Sequence, residues 1–96
     1  MDLGSTIKNI RKQKGQTQGE FALRCRISQT YLSLIESNQK EPNLSTLKTI
    51  SEKLNVPLPI LFFLSINEED IQQSKRKAFE IIGPSVKSFI NEFFSV

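Results

Sequence analysis

The stretch Ser28-Gln29-Thr30-Tyr31-Leu32-Ser33-Leu34-Ile35-Glu36-Ser37 holds the side chains whose spacing points most directly to a chemistry. Wound at about 100° per residue, it places Leu32 and Ile35 together and gathers Thr30, Ser33, Leu34 and Ser37 on the opposite side, with Gln29 at the edge. That outer face is small, polar and almost uncharged. The amide of Gln29 can pair bidentately with adenine in the DNA major groove, and the hydroxyls of Thr30 and Ser33 can serve as donor or acceptor. This is the chemistry of reading a surface rather than of breaking a bond. Ser37-Asn38-Gln39-Lys40 matches the Ser-x-x-Lys spacing of some serine acyl enzymes, but the rest of that motif set is missing, so no enzymatic activity is expected. With no histidine and Cys25 as the one thiol, the usual Cys/His metal sites have no ligand set, and neither metal nor cofactor is expected.

Such a face has to be held by the helices around it. Leu3, Ile7 and Ile10 fall at i, i+4 and i+7 and predict a first helix over about 3–14, closed at Gly15. Thr17 followed by Glu20 is a capping box, and behind it Phe21, Ala22 and Cys25 share one side of a second helix over about 18–25. Cys25 reads as a small buried hydrophobe, since no histidine is available to activate it. Ser28 is an N-cap for the third helix, which runs to about Ser37. Asn38 suits the left-handed closing position, and Gln39 to Pro42 read as a loop. Leu44, Leu47, Ile50 and Leu54 predict a fourth helix closed by Asn55. Pro57 then begins a short fifth element that returns Leu58, Leu61 and Phe62 to the core. Two short helices joined by a tight turn, the second presenting hydrogen-bonding groups outward, fit an α-helix into the major groove.

The 96 residues, 38 % of them apolar, suffice for one main core: residues 1–64 are expected to form a domain and 65–96 a helical extension. Seven Lys/Arg against three Asp/Glu in residues 1–40, and four against five in residues 65–96, suggest a polyanionic partner at the front only. No signal peptide is evident, and the most apolar segment, Val56 to Ile66, is short and interrupted by Pro57 and Pro59, so a cytoplasmic location is expected.

Taken in order, Ile10-Arg11, Thr17-Gln18, Glu20-Phe21-Ala22, Ile27-Ser28-Gln29, Tyr31-Leu32-Ser33, Ile35-Glu36, Pro42-Asn43-Leu44, Thr46-Leu47 and Ile50 closely resemble the lambda-repressor/Cro-like, or XRE, helix-turn-helix family, over about Gly4 to Leu64. The resemblance implies an all-α fold: a five-helix lambda-repressor-like domain followed by one or two C-terminal helices. It also implies a dimeric bacterial or phage transcription regulator on double-stranded DNA. In that reading Gln29, Thr30, Ser33 and Leu34 face base edges, with Leu34 either meeting a thymine methyl or remaining an exposed leucine. Gln18, Asn38, Gln39, Lys40 and Asn43 contact phosphates, which fix register without reading sequence. Arg11 and Glu36 match a pair that in this family bridges the first and third helices. Arg26 stands at a turn position where the family commonly has glycine or asparagine, and Gln16 replaces the usual apolar residue before the cap.

Beyond residue 65 the resemblance ends. Acids at Glu68 to Asp70 with Lys75, Arg76 and Lys77 further on predict a helix whose apolar side is Ile71, Ala78, Phe79 and Ile82. Gly83-Pro84 is expected to break it before a last helix marked by Val86, Phe89, Ile90 and Phe93. Six of the seven phenylalanines lie between residues 62 and 94. Phe79, Ile82, Val86, Phe89, Ile90 and Phe93 are therefore expected to form a homodimer interface suited to a palindromic operator. The alternatives are that these helices fold back on their own domain, or that the tail binds a different protein, as in an antitoxin or adaptor built on the same fold.

Overall fold

In the computed structural model, which describes residues 1–94, side-chain caps open the helices of the front half. The Asp2 carboxylate accepts from Ser5 N at 3.1 Å to start α1 (Leu3–Gln13). Thr17 Oγ1 accepts from Glu20 N at 3.1 Å, and Glu20 Oε1 takes the Thr17 N–H at 3.4 Å, completing the box that starts α2 (Gln18–Cys25). Ser28 caps α3 (Gln29–Glu36) through Tyr31 N at 3.0 Å, and Asn43 caps α4 (Leu44–Leu54) through Thr46 N at 2.8 Å. Each bond satisfies a helix-start donor that would otherwise have no partner.

The exits use the left-handed region. Gly15, Arg26, Asn38 and Asn55 have φ of 72°, 58°, 61° and 59°. For Arg26 this conformation costs about 1 kcal/mol that a glycine would not incur. Gln16, where an apolar residue would staple the helix start, instead accepts from Arg11 Nη1 with its carbonyl at 2.8 Å and from Arg24 Nη1 with its side chain at 2.7 Å.

α1 packs against α3 and α5 (Leu58–Leu64), and α2 packs against α3 and α4. Between them Ile7, Phe21, Leu32, Ile50, Leu54 and Leu61 are completely buried. Gly4 makes the approach of α1 to α3 possible, because a Cβ there would collide with the backbone carbonyls of Ile35 and Glu36. Leu44, expected on the apolar side of α4, is instead 57 % exposed: it lies in the first turn, beyond the rim of the core. Ser51 occupies the buried stripe in its stead and donates to the Val56 carbonyl at 2.6 Å.

The segment after residue 65 departs from expectation. The acidic stretch forms only a single 3₁₀ turn, Glu68–Asp70, in which the Asp70 carboxylate accepts from Asn67 N and pairs with the Met1 ammonium, both at 2.8 Å. A second such turn, Gln73–Lys75, leads into α6 (Arg76–Phe94), which runs unbroken through Gly83-Pro84. Proline in a helix loses one hydrogen bond and crowds the carbonyl four residues back, here that of Glu80. The glycine before it removes the Cβ that would clash with the proline ring. Burial supplies the rest: Gly83 and Ile90 face inward, and the Phe79 ring lies 3.7 Å from the position a Gly83 Cβ would take.

Of the six residues expected at a dimer face, Ile90 is 3 % exposed and packs into its own chain, and Phe79 is half-buried against Gly83. Ile82, Phe89 and Phe93 remain 58 %, 63 % and 65 % exposed, with Val86 half-buried between them. No described helix is long and apolar enough to cross a membrane.

Candidate nucleic-acid interface

The outer face of α3 and the start of α2 form one shallow, open depression lined by Gln18, Gln29, Thr30, Ser33 and Leu34. Four of these were singled out as base-facing and the fifth as a phosphate ligand. They meet because the capped starts of α2 and α3 lie side by side, each opening after an extended residue, Thr17 and Ser28 respectively. Gln29, Thr30 and Ser33 are exposed and Leu34 is half-buried, so the leucine offers only part of its surface to a ligand.

Behind the depression a chain of polar contacts runs from the core to the surface. Arg11 and Glu36 are both buried, joined by Nε to Oε2 at 2.7 Å and by Nη2 to Oε1 at 3.0 Å. The third arm of the guanidinium donates to the Gln16 carbonyl, so each of its three nitrogens has a partner. Glu36 Oε1 also accepts from Gln18 Nε2 at 3.2 Å, and Gln18 Oε1 accepts from Gln29 Nε2 at 3.5 Å. The pair thus ties α1 to the last turn of α3 and positions both glutamines. Every buried side-chain polar atom among the described residues has a partner, the condition under which a buried ion pair is tolerated.

The turn after α3 and the loop into α4 hold the remaining expected phosphate ligands. Asn38 Oδ1 accepts from Gly4 N at 2.9 Å and its Nδ2 donates to Asp2 Oδ1 at 2.7 Å, so the side chain locks α3 to the start of α1 and keeps one amide N–H uncommitted on an exposed residue. The bond from Asn38, followed by that from Ser5 N, also holds the Asp2 carboxyl below the usual carboxylate range. Gln39 and Lys40 spend their backbone N–H groups on the Leu34 carbonyl, at 2.9 and 3.1 Å, while both residues stay exposed. Asn43 commits its oxygen to the α4 cap and retains only its amide N–H groups for an anion. Cys25 takes no part: burial pushes its thiol up to about 11.

Sequence reasoning missed Gly19. A Cβ there would stand 3.3 Å from Gln29 Oε1, so its absence lets the Gln29 side chain lie over the start of α2. The available signal was a glycine inside a helical pattern, which often marks a close approach.

The chain matches the family model described as Helix-turn-helix over residues 7–61. It is 38 % identical over 56 residues to the immunity repressor protein of Bacillus phage phi105, covering 58 % of this chain and 39 % of that protein. It is 36 % identical over 69 residues to the HTH-type transcriptional regulator SinR of Bacillus licheniformis, covering 71 % of this chain and 59 % of that one. The matched stretch therefore spans less than two thirds of either relative. Among solved structures, a mutant of the restriction-modification controller protein C.Esp1396I superposes with a TM-score of 0.63 at 31 % identity, over 70 % of this chain and 87 % of that one. A family match reaching from α1 into α5, over more than half of the chain and across the paired helices that build the depression, makes this protein a member of the XRE-type helix-turn-helix family.

Proposed function

We propose that the protein is a transcription regulator that binds double-stranded DNA sequence-specifically as a homodimer, with α3 in the major groove. The observation that carries this reading is the convergence of Gln18, Gln29, Thr30, Ser33 and Leu34 on one open, uncharged face backed by the buried Arg11–Glu36 pair. Short donors and acceptors on a rigid helix suit base edges, whose patterns differ from pair to pair. Gln29, Thr30, Ser33 and Leu34 read bases; Gln18, Asn38, Gln39, Lys40 and Asn43 hold phosphates on either flank. The regulator and repressor names of the relatives support the same reading.

In this proposal residues 1–64 bind DNA and residues 65–96 form the extension that joins two copies. The exposed row Ile82, Phe89 and Phe93, with Val86 between, supplies the apolar surface for that contact, and a two-fold dimer matches a palindromic operator. The same row would suit a tail that binds a different protein, as in an antitoxin or adaptor; that reading predicts a stoichiometric heterologous partner and a monomeric chain alone.

Selection of bound sites from random duplexes at about 0.15 M salt, where non-specific phosphate attraction is weakened, tests the proposal. A two-fold-symmetric consensus is expected. Gln29→Ala should relax one base position, whereas Lys40→Ala should weaken all sequences alike. Absence of any consensus, or equal loss in both variants on every duplex, contradicts it.

A further inference from the structure

We infer that Leu34 reads the C5-methyl group of a pyrimidine in the major groove, so that the protein distinguishes 5-methylcytosine from cytosine; this rests on α3 reading bases as proposed above. The exposed side of α3 resolves into two stripes, because residues four apart stand one above the other on a helix. Gln29 and Ser33 make a stripe of hydrogen-bonding groups, whereas Thr30 and Leu34 make one that carries methyl groups. All four line the same depression, and none of its lining residues is charged. Leu34 is half-buried, so it offers a small apolar surface, enough for one methyl group and too little for a protein partner. Its own backbone fixes its place. The Leu34 carbonyl accepts from Gln39 N at 2.9 Å, Lys40 N at 3.1 Å and Ser37 Oγ at 3.2 Å, which holds the residue in register with two of the proposed phosphate ligands.

A leucine side chain has neither donor nor acceptor, so it can recognise only an apolar group. Among the four bases the major groove offers one, the C5-methyl of thymine. Cytosine carries a hydrogen at that ring position and presents an N4 donor beside it, which leucine leaves without a partner. Methylation at C5 gives cytosine the same group as thymine while its pairing with guanine is unchanged. To this side chain a base change and a covalent mark therefore look alike. Burying one methyl group is worth about four-fold in affinity. Gln29 and Ser33 end in hydrogen-bonding groups and do not supply this preference. Leu34 is thus a specificity-determining residue whose ligand is a methyl group.

The test starts from the selected operator, in which each thymine of a half-site is replaced in turn by deoxyuridine, a change that deletes the C5-methyl and nothing else. For the unaltered protein one such replacement should weaken binding about four-fold. In Leu34→Ala, shown by thermal melting to be folded, the same replacement should change nothing. Leu34→Gln, which keeps the bulk of the side chain and replaces its apolar end, should behave likewise. The position so identified is then given a C·G pair with the cytosine plain or 5-methylated. The unaltered protein should bind the methylated duplex about four-fold more tightly, and both variants should bind the two duplexes alike. Absence of any thymine whose methyl group is felt, a methyl effect that survives unchanged in both variants, or equal binding of plain and methylated cytosine by the unaltered protein overturns the inference. Each of these results leaves sequence-specific binding intact; failure to select any site overturns the underlying proposal instead.

Discussion

Phe21 in α2 and Phe89 in α6 are the same side chain in opposite circumstances: the first is completely buried among residues from several helices, the second is 63 % exposed beside Phe93 at a ring-centroid separation of 4.7 Å. Burying a phenylalanine contributes about 2–3 kcal/mol, so the front half draws its stability from its own interior, while α6 leaves comparable surface unused. The front also agrees with itself at every level. Its caps, apolar spacing and buried polar pairs all favour the same arrangement. The rear carries a proline inside a helix, two isolated 3₁₀ turns and an apolar row facing outward. One region closes on its own interior, and the other leaves an apolar row outward.

The largest effect should come from breaking the front. Glu36→Ala leaves the Arg11 charge buried without a partner and should cost about 3–5 kcal/mol in a urea titration. The paired replacement Arg11→Met with Glu36→Leu should recover most of that loss. Recovery would show that the pair specifies geometry rather than supplying net stability.

Two residues of α6 sharpen the contrast within the rear. Ile90→Ala should destabilise the protomer by about 2–4 kcal/mol, because Ile90 is buried against its own chain. Phe89→Asp should change protomer stability by less than about 0.5 kcal/mol and yet shift sedimentation equilibrium from dimer to monomer. Loss of folding in the second variant, or dissociation in the first without loss of stability, would reverse the roles given to the two faces.

The smallest effect is a gain. Arg26→Gly removes the strain of a left-handed arginine at the turn between α2 and α3 and should raise stability by about 1 kcal/mol in thermal melting. An unchanged or lower Tm would mean that the arginine side chain repays its backbone strain.

The front was legible because its signals are local. Thr17 with Glu20, Ser28 and Asn43 are caps whose chemistry lies within three residues of sequence, and Asn38 and Asn55 close helices as short polar residues do. The second task of the Asn38 side chain, tying α3 to the start of α1, was not legible because its partners, Asp2 and Gly4, are distant in sequence. The placement of Gln29 against Gln18 is equally non-local, and so is the space left by Gly19. In the rear, Gly83-Pro84 is a strong local break signal that burial of Gly83 and Ile90 overrides. The acids at Glu68 to Asp70 cap only one turn, because Asp70 is bound to the Met1 ammonium and the Asn67 amide. Which apolar residues of α6 face inward depends on its rotation against the domain, which a one-dimensional period does not specify.

The most direct test of the central claim is an NMR titration of the protein with its selected duplex, following backbone amides and the side-chain amides of Gln18 and Gln29. The account predicts perturbations concentrated on the starts of α2 and α3, the exposed residues of α3 and the Gln39–Asn43 loop, with α6 unchanged. Perturbation confined to α6, with the Gln29 amide still, would contradict it.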